Sequence, residues 1–447
     1  MNFLDSLVLP QSAEHIELLH YMLMLILFLF IPFISIEFGG TFLSLLYKRK
    51  AVKYGNELYL KFAKDIIDTV TINKSVGVIL GIMPLLTIII IFAQLLHKSG
   101  VMTVSILSMS LLFEIVGLIL IYSYKYSLSF NNIFDSLKNV NISDPSVDED
   151  IKKLSRGTFN LSVKAGRYGF LFLLAAIWLF VSGFTLALYP GSWENQNIFS
   201  VIFSAAALIR LLSFASAALA LTGGTILFVF FYWDGGKQNL NPEYSDYVKT
   251  QSIKVTFSFS ILIPLFIFIN LIFLPVTAVS GFIFLLAVIG MLLLFLAYHY
   301  LYAMIRNGEL RFSGHLFFAL LFSIIAIIVQ DQLAMGNATE LQSKKLSSEY
   351  EVHLAELKGT DAGVEKLNGK EIYDVRCAAC HRFDVKLVGP AHKDVLPKYE
   401  GKLNQLVAFI RNPVKVDPAF PPMPNPGLKP QEAQAVAEYL LEEMKKK

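Results

Sequence analysis

Eight apolar stretches constrain this chain more than any other feature: they fall at about residues 19 to 47, 76 to 97, 101 to 124, 167 to 189, 198 to 232, 253 to 274, 277 to 305 and 311 to 334. At 1.5 Å rise per residue, each is long enough as a helix to cross a hydrocarbon layer roughly 30 Å thick. Inside that layer every backbone N–H and C=O needs an internal partner, so the stretches predict an all-α membrane domain of eight spans. Composition agrees, with 55% hydrophobic and only 16% charged residues in a chain of 447. The net charge of +3 is too small to point to nucleic acid, which is not an expected partner.

The fifth stretch is ambiguous, because about 35 residues overshoot one crossing and Arg210 interrupts them. It reads as an outer surface helix running into a span, or as two spans. Loop charge arbitrates, since Lys and Arg are retained on the cytoplasmic side. The loop after the first stretch holds Lys48, Arg49, Lys50, Lys53, Lys61, Lys64 and Lys74, and that after the third holds Lys138, Lys152, Lys153, Arg156 and Lys164. The loops at 98 to 100 and 190 to 197 carry only Lys98. An even count then puts both termini on the outer, periplasmic side of a bacterial cytoplasmic membrane. The first stretch is expected to be retained rather than cleaved, because Asp5, Glu14 and Glu17 precede an apolar run longer than that of a signal peptide.

Phe38-Gly39-Gly40-Thr41 and Thr222-Gly223-Gly224-Thr225 echo each other, each about seven residues before an inner loop. They suggest two four-helix halves, with the glycines serving either close helix packing or the approach of a flat ring. Beyond residue 335 the composition turns to Gln, Ser, Lys and Glu. The expected organisation is a membrane domain over 1 to 335, a polar linker or surface helix over 336 to 364, and a small helical domain over 365 to 447.

That last domain holds both cysteines of the chain, in Cys377-Ala-Ala-Cys380-His381. Two thiols two residues apart with an adjacent imidazole suit covalent attachment of haem, the thiols adding to its vinyl groups and His381 ligating iron. A zinc site would need two further ligands and a second Cys pair that the sequence lacks, and a thioredoxin-type pair would need a βαβ pattern. Gly369-Lys370-Glu371-Ile372-Tyr373 before the motif, Gly389-Pro390 after it, an amphipathic stretch Leu403, Leu406, Phe409, Ile410 ending at Asn412-Pro413, Phe420-Pro421-Pro422-Met423-Pro424 and Gln431 to Leu441 then follow in order. In this order the domain resembles the class I c-type cytochromes. The resemblance implies a first helix crossing the last closely at Gly369, a Pro390 carbonyl orienting His381, and Met423 as the sixth iron ligand. His392, the other candidate for that place, follows Gly389-Pro390 too soon for the family pattern.

In the membrane domain, ionisable groups are costly and therefore candidates for function. Glu37, Glu114 and Arg210 fall inside spans, as a proton path for quinol chemistry, as a contact to a haem propionate, or as a structural ion pair. A haem b between His20 and His97 is a further expectation, with His15 competing for the first place; His299 and His315 lie near the inner side. Leu18-Leu19-His20 running through Phe30-Ile31-Pro32 to Glu37, with the mid-span Glu114 and two four-helix halves, resembles the cytochrome bd quinol oxidase subunits. Two features depart from that family: the fifth stretch has no His, and there is no long outer quinol-binding loop.

The expected function is membrane-bound electron transfer from quinol, directly, through a haem b or through a partner subunit of a respiratory complex. Electrons leave by the covalent haem c to a soluble or membrane cytochrome. A non-catalytic anchor and docking subunit of such a complex is the first alternative, and a bd-like terminal oxidase subunit the second. A solute transporter fused to a cytochrome lacks the broken helices of that class.

Overall fold

Ser12 opens the first helix by accepting a hydrogen bond from the His15 N–H at 3.2 Å on its side-chain oxygen, and Gly55 closes it in the left-handed conformation at φ +62°. Between these caps α1 (Ala13–Tyr54) runs unbroken through Pro32. The computed structural model describes residues 11–137, 145–194, 196–237, 240–358, 368–418 and 420–446. Asp5, Lys138 and residues 359 to 367 of the expected linker and domain start lie outside these. The described residues contain helices and no strand, and they form two compact units, 1–350 and 351–447.

In the first unit, α1 is followed by α2 (Glu57–Val70), α3 (Lys74–Leu95), α4 (Thr103–Leu137), α5 (Pro145–Leu188), α6 (Ala205–Phe231), α7 (Pro242–Ile272), α8 (Gly281–Asn307) and α9 (Ser313–Ala338). All but α2 are long and apolar enough to cross a membrane, giving eight candidate spans. Residues such as Leu112 and Phe295, 64% and 67% exposed, turn outward from these helices. A belt of this kind is unfavourable in water and is what hydrocarbon solvates.

Several helices outrun the apolar stretches that announced them, because a lipid-facing run marks the buried part of a helix and not its ends. α5 begins at Pro145, well before the apolar run at 167. The fifth stretch resolves into a short helix, Ile198–Ile202, and the single span α6. The break lies at Ser204, which caps α6 by accepting from the Ala207 N–H at 3.2 Å. A short helix leading into one span is therefore correct and the two-span version is not.

α2 fills what the sequence suggested was a loop. Asn56 caps it, and Phe62, Ala63, Ile66, Ile67 and Val70 form one buried stripe. The polar stretch after α9 is likewise helical, as α10 (Glu340–Leu357).

Loops meet in two sets. Asp65 of α2 accepts the Tyr244 hydroxyl at 2.5 Å and lies 3.6 Å from Lys237, joining the connections after the first and fifth spans. Lys98, after the second span, pairs with Glu349, beyond the eighth, at 3.0 Å. Asn337 donates to the Ala278 carbonyl at 3.0 Å, joining the end of the eighth span to the connection after the sixth. This alternation is what eight consecutive crossings require.

The two halves repeat one arrangement: α4 packs along α5 as α8 packs along α9, while α1 and α6 cross at the centre and each also touches the last span of the other half. Glycine makes the crossings possible. A Cβ on Gly39 would collide with the Thr222 side chain and lie 2.9 Å from the Ala218 carbonyl oxygen. One on Gly223 would collide with Thr256 and lie 3.1 Å from the Ser252 carbonyl oxygen. The repeated Gly pairs therefore serve helix packing.

In the second unit, α11 (Gly369–Arg376), α12 (Leu403–Arg411) and α13 (Pro430–Lys446) pack around a core of Tyr373, Leu396, Leu406, Ile410, Val436 and Leu440. Gly369 is the crossing point, where a Cβ would overlap the Ala435 carbonyl and crowd Tyr439 at 2.9 Å.

Candidate functional site

The last turn of α11 delivers the motif. Cys377 and Ala378 both donate backbone bonds to the Tyr373 carbonyl, at 2.8 and 3.0 Å, and His381 N–H then reaches back to the Cys377 carbonyl at 3.0 Å. One turn thereby carries two free thiols and an imidazole. Two further bonds fix it: the Tyr373 hydroxyl donates to the His381 carbonyl at 2.9 Å, and the Gly389 N–H donates to the Cys380 carbonyl at 2.9 Å. Burial, with the Cys377 thiol beside it, pushes Tyr373 up to about 12, so this phenol stays protonated and remains a donor. Burial also raises the Cys377 thiol above its ordinary value.

The imidazole itself is aimed. His381 Nδ1 lies 3.3 Å from the Pro390 carbonyl oxygen, an acceptor that assigns the proton to Nδ1 and leaves Nε2 free to coordinate. Gly389 is the residue that allows this approach, since a Cβ there would run into the His381 ring.

In front of this turn lies a cavity of about 440 Å³. His381 and Cys377 line it together with Met423, and Leu406, Phe409, Ile410 and Leu440 supply apolar walls. The dimensions and lining fit a covalently held porphyrin, which needs thiols at one edge, an imidazole, a soft sixth ligand and dry walls. His392 also borders the cavity but lies stacked on His381, ring centroids 5.0 Å apart and planes 16° from parallel. Two imidazoles coordinating one iron from opposite faces meet through their nitrogens, a geometry that this face-to-face stack excludes. Burial, and then His381 beside it, depress His392 to about 4 and keep it neutral; its Nε2 has no hydrogen-bond partner.

The membrane candidates separate into two groups. Glu37 and Glu114 are both fully buried, and Glu37 Oε1 and Oε2 and Glu114 Oε1 lack hydrogen-bond partners. They lie close enough to interact electrostatically. Beside Glu114, α3 opens into a π turn at Val78–Ile82 ahead of Pro84, and Gly81 makes room for the carboxylate: a Cβ there would stand 2.9 Å from Glu114 Oε1. Arg210 belongs to the other group, in an ion pair with Asp331 of α9 at 3.0 Å.

Asp331 and its neighbours Gln330 and Gln332 join Arg210 here without having stood among the sequence candidates. Three consecutive polar residues in an otherwise apolar span were the available signal.

The histidines of the membrane unit differ in burial. His20 is half-buried on α1, His97 is buried beyond α3 with Nε2 unpartnered, and His15, His299 and His315 are exposed. No cluster of three or more His, Cys, Asp or Glu suited to a metal ion occurs among the described residues.

Comparison with known proteins bears on the second unit. The Cytochrome c family model matches residues 367–443. Cytochrome c-551 of Pseudomonas denitrificans is 40% identical over 78 residues, which is 16% of this chain and 94% of that protein. Cytochrome c-551 of Ectopseudomonas mendocina is 39% identical over 79 residues, 17% of this chain and 95% of that protein. The Azotobacter vinelandii protein of the same name is 36% identical over 77 residues, 16% and 94% of the two chains. No solved structure matches the chain. The family model covers none of the eight candidate spans, so the likeness to bd oxidase subunits gains nothing from it. Through its C-terminal unit, with two thiols and an oriented imidazole on one turn facing an apolar cavity, this chain belongs to the cytochrome c family.

Proposed function

We propose that this chain draws electrons from membrane quinol and passes them outward through a haem c bound by Cys377, Cys380, His381 and Met423. Electron transfer with a covalently bound haem follows from the cytochrome c unit. The observation that carries the assignment of ligands is that His381 and Met423 border one cavity while the Pro390 carbonyl holds His381 Nδ1. Cys377, Cys380, His381 and Met423 would hold the haem, which would supply a one-electron couple, and the soft Met423 thioether in the ligand set would favour the ferrous state.

Quinol oxidation releases two protons with its two electrons, and two such carriers are therefore reduced for each quinol. Glu37 and Glu114, buried with unpartnered carboxylate oxygens, are the groups of the membrane unit suited to take those protons. The Lys- and Arg-rich connections after the first and third spans favour an outer position for the cytochrome unit, with a soluble or membrane-bound cytochrome as acceptor and other respiratory subunits as neighbours.

A second reading is favoured by one observation. His20 and His97 do not line the cavity around Arg210 and Asp331, which suits a membrane unit without haem b, acting as an anchor and docking surface. A pyridine haemochrome assay on the full-length protein, followed by anaerobic addition of a short-chain quinol, separates the two. Rapid reduction of haem c by quinol supports the conduit; one haem c, no haem b and no reduction establish the anchor. Oxygen uptake with quinol as donor would be required of an oxidase.

A further inference from the structure

Between α1, α5, α6, α7 and α9 the membrane unit encloses a second cavity, of about 130 Å³, at whose border lie Arg210, Asp331, Gln330 and Gln332. Its remaining walls are mostly apolar, from Leu27 and Ile31 to Phe180, Phe214 and Ile267. A dry cavity of about 150 Å³ lined by such side chains is large enough for one six-membered ring.

The polar border is incompletely satisfied. Gln330 and Gln332 are each only 4% exposed, and Gln330 Oε1 and both polar atoms of the Gln332 amide have no hydrogen-bond partner. Amides left without partners inside an apolar bundle are unfavourable, so they call for a partner that the side chains themselves do not supply.

We infer that this cavity binds the head group of a membrane quinone, its ring against the apolar walls and its oxygens on Gln330, Gln332 and the Arg210–Asp331 pair. Charge selects this ligand class. An anionic head group would meet Asp331 and a cation would meet Arg210, whereas their ion pair at 3.0 Å suits a neutral guest. The border also offers both roles in hydrogen bonding: the guanidinium and amide N–H groups donate to quinone carbonyls, and the Asp331 carboxylate and amide carbonyls accept from quinol hydroxyls. Asp331 keeps a quarter of its side chain exposed, so the cavity is not sealed. Phe180 and Phe214 line both this cavity and the small pocket around Glu114, which makes the two neighbours.

The assignment rests on the quinol-linked reading above, and one experiment separates their failures. Binding of a short-chain benzoquinone and a naphthoquinone to the full-length haem-loaded protein in detergent is measured by calorimetry, alongside photolabelling with an azidoquinone. Gln332→Leu, close to isosteric, and Ser213→Phe, which fills the cavity while leaving both Arg210 and Asp331 in the chain, are compared with Lys98→Ala on an outer connection. The expected result is labelling of α6 or α9 and affinity reduced about tenfold or more in the first two variants, the equivalent of one lost buried hydrogen bond, with haem c spectra and melting temperatures kept. Unchanged affinity in both variants, or labelling confined to other helices, overturns the site and leaves the quinol reading standing. No quinone binding by the unaltered protein overturns both.

Discussion

In the cytochrome unit, Cys377, Cys380 and His381 share one turn tied by short backbone bonds. In the membrane unit, Arg210 meets an Asp331 that is 121 residues away. The first arrangement is written into local spacing and survives anything that preserves one helix end. The second exists only when α6 and α9, the fifth and eighth spans, are packed against each other. The membrane site therefore depends on the fold of its entire unit, while the haem turn depends chiefly on its neighbours in sequence and on what fills its cavity.

This contrast can be broken in several places, the most drastic first. His381→Ala, or Cys377→Ala with Cys380→Ala, is expected to abolish the c-type haem absorbance and the covalent haem stain altogether. The helical content and detergent melting of residues 11–350 should persist; loss of both would show that the two units are not independent. Met423→Ala should keep the covalent haem but open the sixth position and lower the reduction potential, read by ligand-field spectra and redox titration. An unchanged spectrum would remove Met423 as a ligand.

Asp331→Ala leaves the Arg210 guanidinium buried without its carboxylate. Because Asp331 is a quarter exposed, a loss of about 3 kcal/mol, the lower end for breaking a buried pair, is expected in unfolding measurements. Gly369→Ala forces a methyl group onto the Ala435 carbonyl, an overpacking that should cost about 2 kcal/mol in the cytochrome unit alone. Lys98→Ala removes an ion pair whose side chains are 33% and 30% exposed, and less than about 1 kcal/mol should follow. A larger effect there would mean that the connections after the second and eighth spans stabilise the bundle more than their exposure suggests.

The same contrast explains what could be read from sequence. Hydrocarbon demands continuous apolar runs, so the spans were visible, as was the Cys-Ala-Ala-Cys-His turn with its downstream Gly389-Pro390 and Met423. The single crossing of α6 was obscured because Phe199 to Phe203 are as apolar as the span, and only the Ser204 cap divides them. α2 escaped because its apolar stripe occupies one face of the helix, with Lys61, Lys64 and Asp68 on the rest of its surface. Arg210 was visible as a misplaced charge, but nothing in its own neighbourhood names Asp331. Partnership between spans is a property of packing, and packing angles are not written in hydropathy.

α2 also decides what kind of machine the membrane unit can be. Its Phe62 and Ile66 share a core with Leu43 and Tyr47 of α1 and with Leu219, Phe230, Tyr244 and Val248 of α6 and α7, and its Asp65 binds Lys237 and Tyr244. Both four-helix halves are thus clasped at one end by the same short helix. A carrier that exposes its cargo to alternate sides must rock one half against the other, and this clasp opposes such rocking. What it preserves is constant spacing between groups buried in the two halves, a condition that alternating access does not meet.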